Sequence, residues 1–232
     1  YDGTNNGATR GVTGKINNAF SFDYLSSENV SLPENIFDFM QTNPFSYSFW
    51  FKTDNGSRQG LLNFRGDANA YVEMGRIEDG KVTATIYDGS LRQITSTNTL
   101  NNDAWHHVVV TYNGTIQTLY IDGTNNSNIE AESPNARSNI ENTLGVAGGL
   151  FLDGEIDEVG IWNRTLTPTE ISELYNSGDG LDFPRDFVNV ELVSPEDNLN
   201  RILESITFNH SLTTSGNYTL DNSTLYIYEV NH

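Results

Sequence analysis

The sequence contains no cysteine. That excludes a disulfide framework, thiolate zinc sites and cysteine nucleophiles. It is also poor in positive charge. Twelve Lys and Arg stand against 31 Asp and Glu, for a net charge of −19 over 232 residues. Nucleic acid needs a basic face to neutralise its phosphates, so it is not an expected partner. No run of about 18 apolar residues occurs, so no membrane-inserting helix is expected. The opening Tyr1-Asp2-Gly3 carries no signal-peptide pattern and reads as a mature or trimmed start. What is present suffices for a core: 36% hydrophobic residues, 11% aromatic. The acidic excess is spread along the chain and reads as a solvated surface that favours solubility.

Period-two patterns dominate. Phe45 to Lys52 alternates over eight positions and places Phe45, Tyr47, Phe49 and Phe51 on one face. Four aromatics on one face predict a central strand against a core. Ala19–Asp23, Ala70–Met74, Lys81–Tyr87, His106–Tyr112 and Ile116–Ile121 are further strand candidates, most of them rich in Val, Ile, Thr and Tyr. Asn113-Gly114 predicts a hairpin turn, and Asp122-Gly123 a second turn. Short strands with turns between them indicate an antiparallel sandwich. One helix stands out. Thr167-Pro168-Thr169-Glu170 is a capping box with proline at the first helical position. Ile171, Leu174 and Tyr175 follow at helical spacing, and Gly178 is the expected stop.

The expected organisation is a β-domain over 1–178, a linker over 179–187 and a partial β segment over 188–232. Three short strands in that last segment cannot close a sandwich of their own. Residues beyond it, or another chain, would have to complete it.

Three segments carry a family resemblance: "FSYSFWFK" (45–52), "WHHVVVTYNGTIQTLYIDGT" (105–124) and "FLDGEIDEVGIWNRTLTPTEISELYNSG" (151–178). With "AFSFD" near the start, they resemble the laminin-G-like jelly roll of the concanavalin A-like lectin/glucanase superfamily. The implied fold is all-β: an antiparallel jelly-roll sandwich with one short C-terminal helix. The segment 188–232 resembles the start of an immunoglobulin-like module, without the cysteine such modules often carry near His210. The resemblance implies a non-catalytic adhesion or recognition module that binds a glycan or a surface protein at the rims of the sandwich. The implied location is extracellular, on a cell surface or on a virion. A structural block of a fibre, pilus or surface layer, packed against copies of itself, is the alternative.

The resemblance also implies calcium as a possible ion, which takes oxygen ligands. First and last strands of a jelly roll are neighbours, so Asp23 and Asp157 are the expected calcium pair. The superfamily includes hydrolases whose catalytic strand reads Glu-x-Asp-x-Glu. Here Glu155-Ile156-Asp157-Glu158 begins that pattern, but regular alternation places Val159 on the face of Glu155 and Asp157. No glycosidase activity is therefore expected. His106 and His107 are adjacent on a strand, face opposite sides and cannot share a metal. Trp50, opposite in parity to Phe49 and Phe51, is expected to pack beneath the C-terminal helix or a covering loop. Sequons for N-glycosylation fall at Asn29, Asn55, Asn113, Asn125, Asn163, Asn209, Asn217 and Asn222.

Overall fold

A computed structural model of the chain describes residues 3–34, 37–41, 43–65, 71–87, 89–131 and 141–181. The chain divides into two units, Tyr1–Arg185 and Asp186–His232, and all described residues belong to the first. The expected immunoglobulin-like segment 188–232, most of the linker and sequons Asn209, Asn217 and Asn222 lie outside the described residues.

Sixteen strands and one helix follow in chain order among the described residues. They are β1 (Thr4–Asn6), β2 (Thr9–Thr13), β3 (Asn18–Phe22), β4 (Asn29–Leu32), β5 (Phe45–Lys52), β6 (Gln59–Arg65), β7 (Tyr71–Glu78) and β8 (Lys81–Tyr87). Then come β9 (Leu91–Thr95), β10 (His106–Tyr112), β11 (Ile116–Ile121), β12 (Thr124–Glu130), β13 (Glu141–Leu144), β14 (Val146–Ala147), β15 (Leu150–Phe151), β16 (Gly154–Trp162) and α1 (Pro168–Tyr175). Two seven-stranded antiparallel sheets form the jelly roll. The first runs β1-β4-β13-β6-β7-β8-β9 and the second β12-β11-β10-β5-β16-β3-β2. Strands β14 and β15 make a small hairpin of their own.

The core lies between the sheets. Phe45, Tyr47, Phe49 and Phe51 of β5 are each no more than 1% exposed, as the alternation predicts. They meet Phe64 of β6 and Tyr112 of β10 edge-on or tilted. Strand β5 has no solvent face at all. On its other side Ser46 accepts the Leu166 N–H and donates to the Arg164 carbonyl, at 2.9 and 3.0 Å. Trp50 stacks on Tyr175 of α1, with ring centroids 5.8 Å apart and planes 19° apart. The helix thus covers the outer face of the second sheet through Ile171 and Leu174 against Val109.

The capping box forms as expected. Thr167 caps the Glu170 N–H, and Glu170 accepts the Thr167 N–H at 2.8 Å. Arg164 grips the same carboxylate with two nitrogens, at 2.6 and 2.9 Å, and holds its pKa at about 2. The helix ends at Asn176 rather than at Gly178. Asn176 adopts the left-handed conformation (φ 48°), which Asn tolerates well among non-glycine residues. Gly178 instead closes a following short 3₁₀ turn. Strands β1, β2, β4, β6, β9 and β12 to β15 are not evident from the alternation alone.

The long edges are handled differently. At one side β9 and β12 meet across the sheets, where Asn126 accepts the Thr97 N–H at 2.8 Å and Ser127 donates to the Thr95 carbonyl. At the other side the chain crosses from β1 to β2 through Gly7 and Ala8, and the gap between the sheets is less filled.

The core geometry carries a direct expectation. Phe49→Ala removes a fully buried ring and lowers stability by about 3–5 kcal/mol in urea denaturation. Leu91→Ala, at a side chain 65% exposed, stays within about 0.5 kcal/mol of the parent.

Candidate binding site

Strand β16 organises the less filled side. It lies between β5 and β3 and pairs with both at its start. Its ladder with β5 then slips. Asp157 pairs with Trp50 and Gly160 with Ser48, so Glu158 and Val159 together oppose Phe49. This one-residue bulge places Glu158 at φ 47° and bends the strand. Regular alternation fails here. Gly160, not Val159, returns to the face of Glu155 and Asp157, while Val159 packs toward the core. The indole of Trp162 lies across Gly160, where a Cβ would collide with it.

A cleft of about 570 Å³ opens beside the bulge. Phe20, Phe22, Leu144, Ile156 and Ile161 form its apolar floor, and Asn17, Asn18, Asp157 and Glu158 its polar rim. Apolar walls with a few convergent polar groups are the usual make-up of a ligand site.

Asp157 is committed to the fold. Its Oδ2 accepts the Ile16 N–H and its Oδ1 the Glu158 N–H, both at 2.9 Å. The Lys15 N–H bonds to it as well. Gly14 is required for this approach, because a Cβ there would sit 2.5 Å from Oδ2. Burial pushes the Asp157 pKa up, against the three N–H groups that pull it down. Glu155, on the same face, pairs with Lys52 Nζ at 2.9 Å.

Asp23 stands elsewhere. It caps the short 3₁₀ turn Tyr24–Ser26 by accepting the Leu25 N–H at 2.9 Å and the Ser26 hydroxyl at 3.1 Å. Phe22 pairs with Gly154 and Phe20 with Ile156. Asp157 is therefore four residues along the ladder from Asp23, about 13 Å at strand spacing. The two carboxylates expected to share a calcium ion do not meet. The first and last strands are neighbours as expected, but their register keeps the two carboxylates apart, and each is already engaged. Among the described residues no group of three or more His, Asp or Glu stands together as a metal site.

The histidines divide as alternation requires. His106 sits between Asp122 Oδ2 and Asn102 Oδ1, both at 2.9 Å. His107 faces the helix, 1% exposed, with Nε2 3.1 Å from Ser48 Oγ and its ring against Trp50. Burial pushes the His107 pKa down to about 4, partly offset by Asp122. Burial alone would raise the Asp122 pKa. Hydrogen bonds from the His106 ring and the His107 N–H, with the charge of both histidines, outweigh it and lower the value. Trp50 packs beneath the helix as expected, and Lys15 Nζ stands 4.9 Å from its ring centroid.

Of the described sequons, Asn113, Asn125 and Asn163 are exposed. Asn29 and Asn55 are half-buried with their side chains engaged. Asn29 Oδ1 accepts from Asn6, and Asn55 Nδ2 donates to Asp153 at 3.2 Å.

The comparisons with known proteins agree with this architecture. The laminin-G family model, described as the concanavalin A-like lectin/glucanases superfamily, matches residues 23–172. The chain belongs to this superfamily. A search of curated proteins finds no match. Among solved structures, the binding domain of Paraclostridial Mosquitocidal Protein 1 superposes with TM-score 0.61 at 17% identity, over 75% of this chain and 47% of that one. The receptor-binding domain of botulinum neurotoxin C/D mosaic serotype gives 0.60 at 18%, over 76% and 46%. Domain 4 of the extracellular arabinanase AbnA from Geobacillus stearothermophilus, solved with arabinotriose, gives 0.61 at 18%, over 76% and 82%. The chain thus spans a little under half the length of the toxin domains it matches. At these identities the likeness shows the fold. The two toxin structures are named as binding domains, and the arabinanase domain was solved in complex with arabinotriose. No described helix is long and apolar enough to cross a membrane.

Two outcomes follow from this site. Asp157→Ala strands three backbone N–H groups and lowers stability by about 1–3 kcal/mol; thermal melts in calcium and in chelator show the same loss. His107 carries the pH dependence. Its folded pKa lies below its unfolded value, so the unfolded chain takes up the proton first and stability falls as pH drops from 6.5 toward 4. Over that window the native chain loses about 3 kcal/mol relative to His107→Gln, measured by urea denaturation across a pH series. Asp157, with its raised pKa, acts in the opposite sense above pH 3.8 and is common to both proteins.

Proposed function

We propose that the chain is a non-catalytic recognition module of an extracellular or surface protein, which holds a glycan or a surface protein at the cleft between β3 and β16. One observation carries the reading: the carboxylates that a hydrolase of this superfamily would use are engaged in structure. Asp157 is saturated by backbone N–H groups, Glu155 is paired with Lys52, and the bulge puts Gly160 at the third position of their face. A retaining glycosidase needs two free carboxyl groups about 5–5.5 Å apart. What remains beside them is a cleft with an apolar floor and an amide-bearing rim, suited to a ring with one apolar face and several hydroxyls. The toxin binding domains that share the fold, and the arabinanase domain solved with arabinotriose, support the same reading.

Titration calorimetry against arabinotriose, a glycan panel and candidate surface proteins tests it. Asn18→Ala and Glu158→Gln, both on the cleft rim, weaken the bound ligand about tenfold or more, equivalent to about 1.4 kcal/mol. No glycan in the panel is turned over. Turnover that is lost in Asp157→Ala would overturn the reading. So would ligand binding that ignores both rim variants.

A further inference from the structure

We propose that Asn113, at the tip of the β10–β11 hairpin, is a site of self-promoted covalent modification. Its side-chain amide is lost through a succinimide formed with Gly114, and water opens that ring to aspartate and isoaspartate. The proposal is independent of the cleft and of any ligand held there.

The sequence holds three Asn-Gly pairs, Asn6-Gly7, Asn55-Gly56 and Asn113-Gly114. In each, the glycine has no side chain to hinder attack by its own backbone nitrogen on the asparagine amide carbon. The fold separates the three. Asn6 lies in β1 opposite Asn29, and its Nδ2 donates to Asn29 Oδ1 at 2.8 Å and to Ser31 Oγ at 2.9 Å. Gly7 is bridged to Asn29 as well. Asn55 is half-buried. Its Nδ2 donates to Asp153 Oδ2 at 3.2 Å, its Oδ1 accepts the Ser57 N–H at 2.9 Å, and its own N–H donates to Thr53 Oγ1 at 3.1 Å. In both pairs the nitrogen that must leave is held by the fold. Asn113 is exposed. Among the described residues nothing accepts from its Nδ2 or from the Gly114 N–H. Gly114, at φ 102°, has open space where a Cβ would stand.

The decisive feature is what surrounds Asn113 Oδ1. It accepts the Ile116 N–H at 2.8 Å, the Thr115 N–H at 3.0 Å and the Thr115 hydroxyl at 3.1 Å. Three donors converging on one carbonyl oxygen at these distances have the geometry of an oxyanion hole. The Gly114 nitrogen gives its proton to hydroxide and forms a bond to Asn113 Cγ. The carbonyl electron pair moves onto Oδ1, where the three donors hold the charge. Hydrogen bonds to a charged acceptor are about twice as strong as to a neutral one, so these donors favour the intermediate over the resting amide. The pair returns as the Cγ–Nδ2 bond breaks, and ammonia leaves with a proton taken from water. A water molecule then adds to one of the two ring carbonyls. Opening at Cγ leaves aspartate, and opening at the main-chain carbonyl leaves isoaspartate, with the backbone rerouted through the side chain. One water is consumed and one ammonia released, with no change of oxidation state. Isoaspartate lengthens the backbone beside Tyr112, whose carbonyl accepts the Thr165 hydroxyl at 3.1 Å two residues before the cap of α1.

Peptide mapping by mass spectrometry tests this on the full chain, made in bacteria so that the Asn113-Gly114-Thr115 sequon carries no glycan. The chain is aged at mildly alkaline pH, folded and in guanidinium chloride, and an isoaspartate-specific methyltransferase counts the rearranged product. In the folded chain Asn113 converts at least about tenfold faster than Asn6 or Asn55, whereas in denaturant the three pairs convert within about threefold of one another. Thr115→Ala removes one donor to Oδ1. It slows Asn113 by about threefold or more in the folded chain and leaves its rate in denaturant unchanged. Conversion of Asn113 no faster than Asn6 or Asn55 in the folded chain overturns the proposal. So does a faster rate for Asn113 in denaturant than in the folded chain, because the three bonds then lock the amide instead of activating it. An unchanged or raised rate in folded Thr115→Ala overturns it too. The comparison within the native chain decides the matter whether or not that variant folds.

Discussion

Strand β5 has both faces buried, and the rest of the domain is arranged to keep them so. Its four inward aromatics fill the space between the sheets. Its outward residues would expose Ser46, Ser48 and Trp50 were it not for the chain that follows β16. That chain returns across the sheet, bonds Ser46 from Leu166 and Arg164, and lays Tyr175 on Trp50. The capping box fixes where the helix begins, and so where Tyr175 lands. Gly123 completes the fit, since a Cβ there would stand 2.8 Å from the Tyr175 ring. A turn, a helix cap and a tryptophan far apart in sequence thus answer one requirement: no face of the central strand is left to water. The buried His107 is a consequence, held neutral by the same cover.

The bulge in β16 has the opposite character, since it opens the structure. A strand that slips by one residue beside its partner cannot stay flat against the next strand. The pairing of β3 with β16 ends at Ile156 and the cleft begins there. The same slip decides the chemistry. It carries Gly160 onto the face that a third carboxylate would occupy, and it brings Asp157 within reach of the N–H groups of the 14–17 turn. An acidic strand that looks catalytic in outline becomes a clamp for its own neighbours.

Much of the fold was legible in the sequence because it rests on local signals. The alternation of Phe45 to Lys52, the turns at Asn113-Gly114 and Asp122-Gly123, and Thr167 to Glu170 each state a backbone geometry within a few residues. The site was less legible. A bulge leaves no mark in a period-two pattern, so Val159 was assigned to the wrong face. The partner register of β3 and β16 is a long-range property, so Asp23 and Asp157 looked close when only their strands are. Strand β6 reads as "QGLLNFR", which neither alternates nor carries turn signals, so a period-two pattern does not reveal it. Which of its residues face inward depends on which side of the sheet is the core, and that is set by Phe64 meeting Tyr47 across the sandwich.

A two-sheet sandwich has two outer faces and two long sides on which to meet a partner. The helix takes the outer face of the second sheet. The β9–β12 contact closes one long side with amide and hydroxyl bonds. What is left is the side where β16 bulges, with the cleft beside it, and the outer face of the first sheet. The cleft joins Asn17, Asn18, Asp157 and Glu158 to an apolar set, and the first sheet carries the Arg65–Glu141 and Arg76–Glu78 ion pairs. The net charge of −19 disfavours anionic partners at either surface. The division follows from the packing needs of β5, which fixed the helix on one face before any ligand is considered.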